Sequence, residues 1–492
     1  RLETASFLSF ALHTPISMVT VDEAHCISQW GQDFRPSYLK IIDFVEQLPG
    51  NPIISAFTAT ATEVVKNDIA RILKLKNPNI VVTGVDRENL YYQVEHLTGK
   101  QKDIFIQNYI ETHPNESGII YCATRKNVDT LYEKLLKQGV SVTRYHAGMS
   151  NDIRKKSQDD FIYDRAQVVI ATNAFGMGID KSNVRFVIHY NMPQSMENYY
   201  QEAGRAGRDG EPAKCILLFS TQDVMISKLL LGSKDFEGMD FQEIEQVKHQ
   251  DSRRLQLMEG YCMTTSCLRN YILEYFGETT HQPCDNCGNC HQEFEELDMT
   301  LDAKWVVGCI TEMRGRYGQA LVIGTLLGSK KARLKDIGAT SYNCYGQLEN
   351  RTEADLRLLI SQMIRMGYIT QTEGEYSVLK AGNIADLQNK NTKIIIKKFK
   401  EKEKISTTKK HKTPFKKDSF SASTESSSTD STATNSSHNS ALFEALRQLR
   451  LQIAKEESVP PYIVFTDRTL IDMCSKLPQN EDEMLNVSGV GQ

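Results

Sequence analysis

The sequence contains no apolar run of membrane-spanning length and no signal peptide, so nothing in it calls for a bilayer. It has little net charge: 58 Lys and Arg against 62 Asp and Glu leave −4. Without a global basic field, any polyanion must be met by local patches. A disulfide framework is also missing. Eleven Cys is an odd count, and most are scattered, which fits a reducing compartment. Nothing upstream of Asp22 offers the phosphate-cradling pattern GxxxxGK(S/T). What remains is ordinary globular composition, 40% hydrophobic and 24% charged, and length enough for about three to four domains.

One stretch organises the rest, Val19 to Tyr38, reading VTVDEAHCISQWGQDFRPSY. Ile16 to Val21 is apolar and β-branched, as expected of a buried parallel strand. It runs into Asp22, Glu23, Ala24 and His25. Carboxylates at that end of a strand sit where α/β sheets hold ligands. In nucleotide hydrolysis the first acid helps hold Mg²⁺ and the second can polarise the attacking water. Trp30 and Phe34 follow four residues apart, with Arg35 next and Gly31 and Pro36 fixing turns. Stacking groups beside a cation suit unpaired bases. A four-letter acid motif alone is weak, and Trp30 and Phe34 could equally be core. The combination resembles motif II and the aromatic-rich loop of RecQ-family DNA helicases. In that family the loop senses single-stranded DNA and couples it to ATP hydrolysis.

Residues 1 to 84 alternate strand and helix, with a second buried strand at Ile53 to Phe57 followed by Thr58-Ala59-Thr60. The resemblance makes Thr58 and Thr60 a link between the ATP and DNA sites, and His25 part of the same relay. The plain alternative for both threonines is a helix N-cap leading into Glu63 to Leu73. A second α/β unit spans residues 85 to 221. Strands are expected at Gly118 to Cys122, Val140 to Tyr145, Gln167 to Ala171, Arg185 to Tyr190 and Ala213 to Phe219, with helices such as Asn127 to Lys137 and Ile153 to Phe161 between them. Alternation of this kind implies a parallel sheet with right-handed crossovers. The unit resembles the second RecA-like lobe of a superfamily 2 helicase.

Two segments of that unit carry chemistry. Ala171 to Asp180, reading ATNAFGMGID, follows a strand, and Gly176 and Gly178 permit close approach of backbone to a phosphate or a DNA strand. Gln201 to Gly210, reading QEAGRAGRDG, sets Arg205 and Arg208 three apart, on one face of a helix, one turn beyond Gln201. Guanidiniums bind phosphate oxygens bidentately and stay charged. A solvated basic face is the bland alternative. The match to family motif VI assigns both arginines to ATP, Arg208 as the finger, with Gly178, Asp180 and Gln201 on the nucleotide side. His146, opening His146-Ala147-Gly148-Met149, is either a DNA-phosphate contact or a satisfied structural histidine.

Cys267, Cys284, Cys287 and Cys290 give C-x16-C-x2-C-x2-C. Three Cys on a tight loop and one on a preceding helix can close a tetrahedron of thiolates around Zn²⁺. Four thiolates leave no open position, so such a metal is structural. Cys262 is left out because a helix points it away from Cys267. This stretch, residues 222 to 293, resembles the RecQ zinc-binding subdomain, including Tyr275-Phe276-Gly277-Glu278.

Residues 294 to 382 read as helices followed by a hairpin, hence a winged helix. The helix Glu353 to Arg365 shows a stripe of Leu356, Leu359, Ile360, Met363 and Ile364, and the hairpin falls at Tyr368 to Gln371 and Tyr376 to Leu379. In the family this domain grips duplex DNA, and Arg333 and Lys335 are candidate phosphate contacts. Residues 383 to 440 are Lys-rich and then Ser/Thr-rich, unable to bury a core. From 441 to 492 helical spacing resumes at Leu442, Phe443, Leu446, Leu449 and Ile453, resembling an HRDC domain whose last helix lies beyond Gln492.

The expected fold is thus multidomain α/β: two RecA-like parallel-sheet lobes, the first incomplete, a zinc-binding helical subdomain, a winged helix and a partial all-α HRDC domain. The resemblance implies a 3′-to-5′ ATP-dependent DNA helicase of repair and recombination, using ATP, Mg²⁺ and Zn²⁺. It implies single-stranded and duplex DNA as partners, together with a single-stranded DNA-binding protein and no membrane, in bacterial cytoplasm near the nucleoid. A chain opening on Arg1 and ending on Gln492 reads as a fragment cut at both ends, the family's phosphate loop lying before it. Such a fragment is expected to be inactive on ATP. The rival readings are a DNA-binding zinc and winged-helix module with an idle motor, and an RNA helicase of the same superfamily.

Overall fold

The computed structural model describes residues 2–28, 34–176, 179–233, 241–279, 282–372, 378–384, 392–399 and 435–491. Two compact units share the chain: Arg1–Phe161 with Arg165–Lys398, and Phe399–Gln492 with the short stretch Ile162–Asp164.

The larger unit begins with two parallel strands, β1 (Met18–Val21) and β2 (Ile53–Ala56), paired from Met18↔Ile53 to Val21↔Ala56. Helices Pro36–Gln47 and Glu63–Ile72 pack on them through Ile42, Phe44 and Val45, and through Val65 and Ile69. The N-cap of the second helix is Thr62, so neither Thr58 nor Thr60 is its cap. The capping alternative is corrected: both threonines sit in the turn ahead of the cap.

A six-stranded sheet follows. Its strands are β3 (Leu90–His96), β4 (Ser117–Tyr121), β5 (Val142–Tyr145), β6 (Val168–Ala171), β7 (Val184–His189) and β8 (Ala213–Phe219). Their spatial order is β3-β8-β7-β4-β6-β5, and every pairing is parallel. All four residues of β6 are buried, as a strand covered on both faces requires. Alternate residues feed two cores. Ile119, Tyr121, Val169, Ala171, Val187 and Leu217 face one way, and Ile120, Val168, Ile170, Phe186, Ile188 and Leu218 the other. The five expected strands are present within a residue or two of their expected ends. The sixth, β3, was not anticipated. Under the second face, Lys102 donates to Asp223 at 2.8 Å and to the Tyr190 carbonyl at 2.8 Å, both side chains almost fully buried.

Helix Phe241–Met263 and helix Leu268–Tyr275 lead to the four-Cys loop. Beyond it, helices Thr300–Glu312, Gln319–Leu326, Ala332–Asp336 and Glu353–Arg365 enclose a separate core with Leu356, Leu359, Ile360 and Met363 at its centre. A Thr352–Asp355 capping box starts the last of these helices where the sequence places it. The hairpin pairs Ile369–Gln371 with Leu379–Ala381, so its second strand lies further along the chain than expected. Tyr376 is outside the described residues.

The smaller unit is helical: Asn435–Glu456, Pro461–Val464, Asp467–Lys476 and Glu481–Leu485. Leu470, Met473 and Val487 form its core, and buried Arg450 ties Asp467 at 2.8 Å to the Phe465 carbonyl at 2.9 Å. The long helix ends at Glu456, and Pro461, after N-cap Pro460, opens a new short helix, as proline at a first helical position can.

Candidate nucleotide and zinc sites

β1 ends directly on the acid pair. Asp22 is exposed, and its Oδ1 accepts the Glu23 backbone N–H at 2.8 Å. Glu23 itself is left-handed, at φ 49 and ψ 44. That conformation disfavours a side chain with a Cβ and persists where the surroundings over-determine it. Here two backbone bonds fix the turn, Ala24 N–H to the Phe57 carbonyl at 2.9 Å and Phe57 N–H to the Val21 carbonyl at 2.8 Å. His25 is buried behind the acids. Its Nδ1 lies 2.9 Å from Thr58 Oγ1 and 3.3 Å from Glu23 Oε2. Thr58 Oγ1 in turn accepts the Thr60 N–H at 3.3 Å. One histidine therefore joins the turns at the ends of β1 and β2.

The arginine-bearing segment faces this from the larger sheet. Helix Met196–Ala203, capped by Ser195, ends at Gly204, and both arginines lie in the turns that follow, so they do not share a helix face as the spacing predicts. Arg205 Nη1 donates to the Gly176 carbonyl at 2.5 Å, and a Cβ on Gly176 would lie 2.5 Å from Arg205 Nη2, so a side chain there would displace the guanidinium. Arg208 Nη1 reaches the Ile179 carbonyl and Asp180 Oδ1, each at 3.1 Å, and stays more than one-third exposed. Exposed at both ends, that ion pair adds little stability and leaves the guanidinium available. Gln201 Nε2 donates to Glu23 Oε1 at 3.3 Å, a direct bond from one sheet's site residues to the other's.

Glu23, His25, Arg35, Thr58, Asp180, Gln201, Arg205 and Arg208 all line one cavity of about 2090 Å³. An acid facing two guanidiniums across a cleft is the donor and acceptor set used for phosphoryl transfer to water. These residues fit the terminal phosphate of a nucleotide and its Mg²⁺. The described chain contains no GxxxxGK(S/T) to cradle the remainder.

The second site is formed by sulfur. Cys267, Cys284, Cys287 and Cys290 have their Sγ atoms within 4.8 Å of one another, with Cys284 and Cys290 3.9 Å apart and Cys267 and Cys287 4.0 Å apart. A tetrahedron with Zn–S bonds of about 2.3 Å has edges of about 3.8 Å. Backbone donors already point at the sulfurs, Asn270 N–H to Cys267 at 3.4 Å and Asn286 N–H to Cys284 at 3.3 Å. The hydrogen bond from Cys267 holds the Cys287 thiol down to about 4 and pushes Cys267 up. Cys262 is buried in the same apolar core but stands outside the four-sulfur group; its helix ends at Met263 and Cys267 caps the next helix, so the expected separation holds but not through a shared helix. The site fits Zn²⁺ as a closed four-thiolate centre, and zinc there supplies folding energy rather than an open coordination position.

Comparison with known proteins joins these observations. Family models match residues 101–210 as a helicase conserved C-terminal domain, 221–291 as RecQ zinc-binding, 293–405 as an RQC domain and 439–492 as an HRDC domain. The chain is 39% identical over its whole length to the ATP-dependent DNA helicase RecQ of Bacillus subtilis, of which it spans 76%. It is 35% identical to the protein of the same name from Haemophilus influenzae, again over all of this chain and 75% of the relative. The chain belongs to the RecQ family of ATP-dependent DNA helicases. A mimivirus relative described as an ATP-dependent RNA helicase is 37% identical over 72% of this chain and 64% of its own length.

For this RecQ-family chain, the remaining expected residues lie apart from the cleft or outside what is described. Trp30 and Gly178 are outside the described residues. Phe34 is half-buried and Thr60 buried. Both ring nitrogens of His146 are engaged within the chain, Nε2 with Asp129 at 3.2 Å and Nδ1 accepting the Gly148 N–H at 3.2 Å. That geometry fits the structural alternative for His146. Arg333 and Lys335 are exposed on helix Ala332–Asp336 of the RQC domain. Among the described residues, no helix is long and apolar enough to cross a membrane.

Sequence reasoning missed Arg269. It is 4% exposed, and it donates to Asp86 Oδ1 at 2.5 Å, the Arg87 carbonyl at 2.7 Å and the Leu90 carbonyl at 2.6 Å. Its signal was available: an arginine two residues after a metal-ligand cysteine, inside an apolar helix.

Proposed function

We propose that this protein couples ATP hydrolysis to 3′-to-5′ translocation along single-stranded DNA and to duplex unwinding, in DNA repair and recombination. The observation that carries the reading is the single cavity holding Glu23, His25 and Thr58 on one wall and Gln201, Arg205 and Arg208 on the other. ATP with Mg²⁺ supplies the phosphoryl group and the charge to be neutralised. Asp22 holds the metal, Glu23 orients water, and Arg205 and Arg208 stabilise charge developing on the transferred group. His25, through Thr58, passes the state of the acids to the DNA side, where Trp30, Phe34 and Arg35 respond to bound strand. The winged helix, with Arg333 and Lys335, holds duplex. Boundaries near residues 84, 221, 293 and 440 divide these tasks; the boundary expected at 382 falls inside the RQC match, since Ile394 and Ile396 beyond it are buried in that domain's core. A single-stranded DNA-binding protein is the expected partner, and the bacterial nucleoid the expected place of work.

The 492 residues alone are expected to bind DNA, with strong salt dependence from phosphate contacts, and to release no phosphate from ATP above background. Without the Gly-rich backbone cradle and its Lys, a bound nucleotide loses most of its donors, and arginines accelerate only what is already positioned. Phosphate release should appear when a segment supplying GxxxxGK(S/T) precedes Arg1. Turnover by the 492-residue chain that vanishes in Glu23→Gln would overturn this account of the site. Unwinding assays on DNA and RNA duplexes with 3′ or 5′ tails test the substrate and polarity. Activity confined to RNA, or to 5′ tails, would refute the corresponding part.

A further inference from the structure

Residues 85–90 join the first sheet to the second, and they are gripped from two sides. On one side lies the loop that carries both arginines. Arg87 donates to three of its backbone carbonyls, Gly207 at 2.8 Å, Ala206 at 3.2 Å and Gly204 at 3.4 Å. Asn89 Nδ2 donates to the carbonyls of Gly207 and Glu211, each at 2.8 Å, and its own carbonyl accepts the Ala213 N–H at 3.0 Å. Gly207 sits at φ +54, and a Cβ there would stand 2.4 Å from Asn89 Nδ2. The absence of a side chain at Gly207 is what lets the Asn89 amide reach the loop backbone. On the other side is the zinc-binding module. Arg269 binds Asp86 and the carbonyls of Arg87 and Leu90, Asn286 Nδ2 donates to the Glu88 carbonyl at 2.8 Å, and Glu278 Oε1 accepts the Val85 N–H at 2.6 Å.

We propose that Arg87 and Asn89 are positioning residues for Arg205 and Arg208, a latch in the inter-sheet connection that fixes the arginine loop and is itself braced by the zinc-binding module. The proposal rests on the reading that Arg205 and Arg208 act on ATP. Asn89 is not part of the cleft lining, whereas Arg87 is, so Asn89→Ala is the variant that reads positioning alone. Arg87 suits the task because a planar fork reaches several carbonyls at once, where an ammonium is a point charge. Removing these donors frees the loop backbone without emptying the cleft, so the rate should fall while ATP is still bound.

The test uses Arg87→Gln and Asn89→Ala in two measurements. Hydrogen exchange on the 492-residue chain reads the loop directly: amides of residues 204–211 should exchange faster by about tenfold, zinc content unchanged. Steady-state hydrolysis by the full-length protein should show kcat down by about tenfold in both variants, with KM for ATP nearly constant in Asn89→Ala, whose side chain is outside the cleft lining. Unchanged exchange in both variants overturns the latch. Faster exchange with unchanged kcat also overturns it, provided Arg205→Ala and Arg208→Ala are inactive. If those two variants keep their kcat, the reading of the arginines fails, and exchange alone then decides whether the latch shapes the loop. Asn89→Ala deletes only the amide and carries the test if Arg87→Gln does not fold.

Discussion

Replacing Cys287 by Ala should release the zinc and unfold more than the loop that holds it. Cys287 is completely buried, and its backbone bridges Tyr92 on β3. Structural zinc on four thiolates contributes roughly 10–16 kcal/mol of apparent binding energy at neutral pH, all of it folding energy in a site absent from the unfolded chain. A whole domain is stable by only about 5–15 kcal/mol, so the loss is comparable with everything available. Nor is it confined. Cys287, Leu268, Ile272 and Phe276 share one apolar core with Leu90 and Tyr92 of β3 and with Met196, Tyr199 and Ala203 of the helix leading to the arginines. Tyr275 adds a hydrogen bond to Glu197 of that helix at 2.6 Å. Elemental analysis should find one zinc per parent chain and almost none in the variant, and calorimetry should show a lower, broader transition. Cys262→Ala is the control: that thiol is buried in the same core but belongs to no cluster, so its loss should remove on the order of 1 kcal/mol and no zinc. A Cys287→Ala protein without metal that melts at the parent's temperature would refute the reasoning, as would folded parent protein free of zinc.

Lys102→Ala leaves Asp223 buried without its counter-ion, held only by Asn191 and Ser220, and thermal or urea unfolding should report a loss of about 3–5 kcal/mol. A loss under about 1 kcal/mol would mean that the pair is solvated in solution. Neutralising Arg333 and Lys335 together should flatten the slope of log K against log salt for duplex binding by about two units, one per phosphate contact; an unaltered slope removes both from the interface. In the full-length protein Trp30→Ala should weaken DNA stimulation of ATP hydrolysis by about 1–3 kcal/mol per stacked base and leave the basal rate alone, and unchanged stimulation would return Trp30 to the core.

The parallel sheet was legible because its inner strands are unbroken apolar runs such as Val168–Ala171, buried on both faces. β3 escaped because its tyrosines, Gln93 and Glu95 mix polar and apolar positions, and because its partner β8 lies far along the chain. The four-Cys cluster could be read from spacing alone, since a tight loop allows few other arrangements. The site was legible as two separate motifs. Their meeting, through Gln201 and Glu23, depends on how two sheets face each other, which no local pattern encodes. The latch was invisible for the same reason: Arg87 and Asn89 bind carbonyls, and any residue has a carbonyl. Helix spacing also misplaced Arg205 and Arg208, because the helix stops at Gly204.

The order of the large sheet has a consequence for synthesis. β8 is the last strand made, yet it lies between β3 and β7. Asn89 and its partner carbonyl on Glu211 are 122 residues apart. At about 5–20 residues per second, β3 leaves the ribosome roughly 6–24 s before the strand that covers it. For that whole interval β3 lacks its partner, and from the synthesis of β7 until β8 follows, β3 and β7 both present an open edge. A ribosome that stalls between residues 190 and 213 therefore displays a half-closed sheet with two sticky borders, the species on which chaperone capture or aggregation of this protein should concentrate.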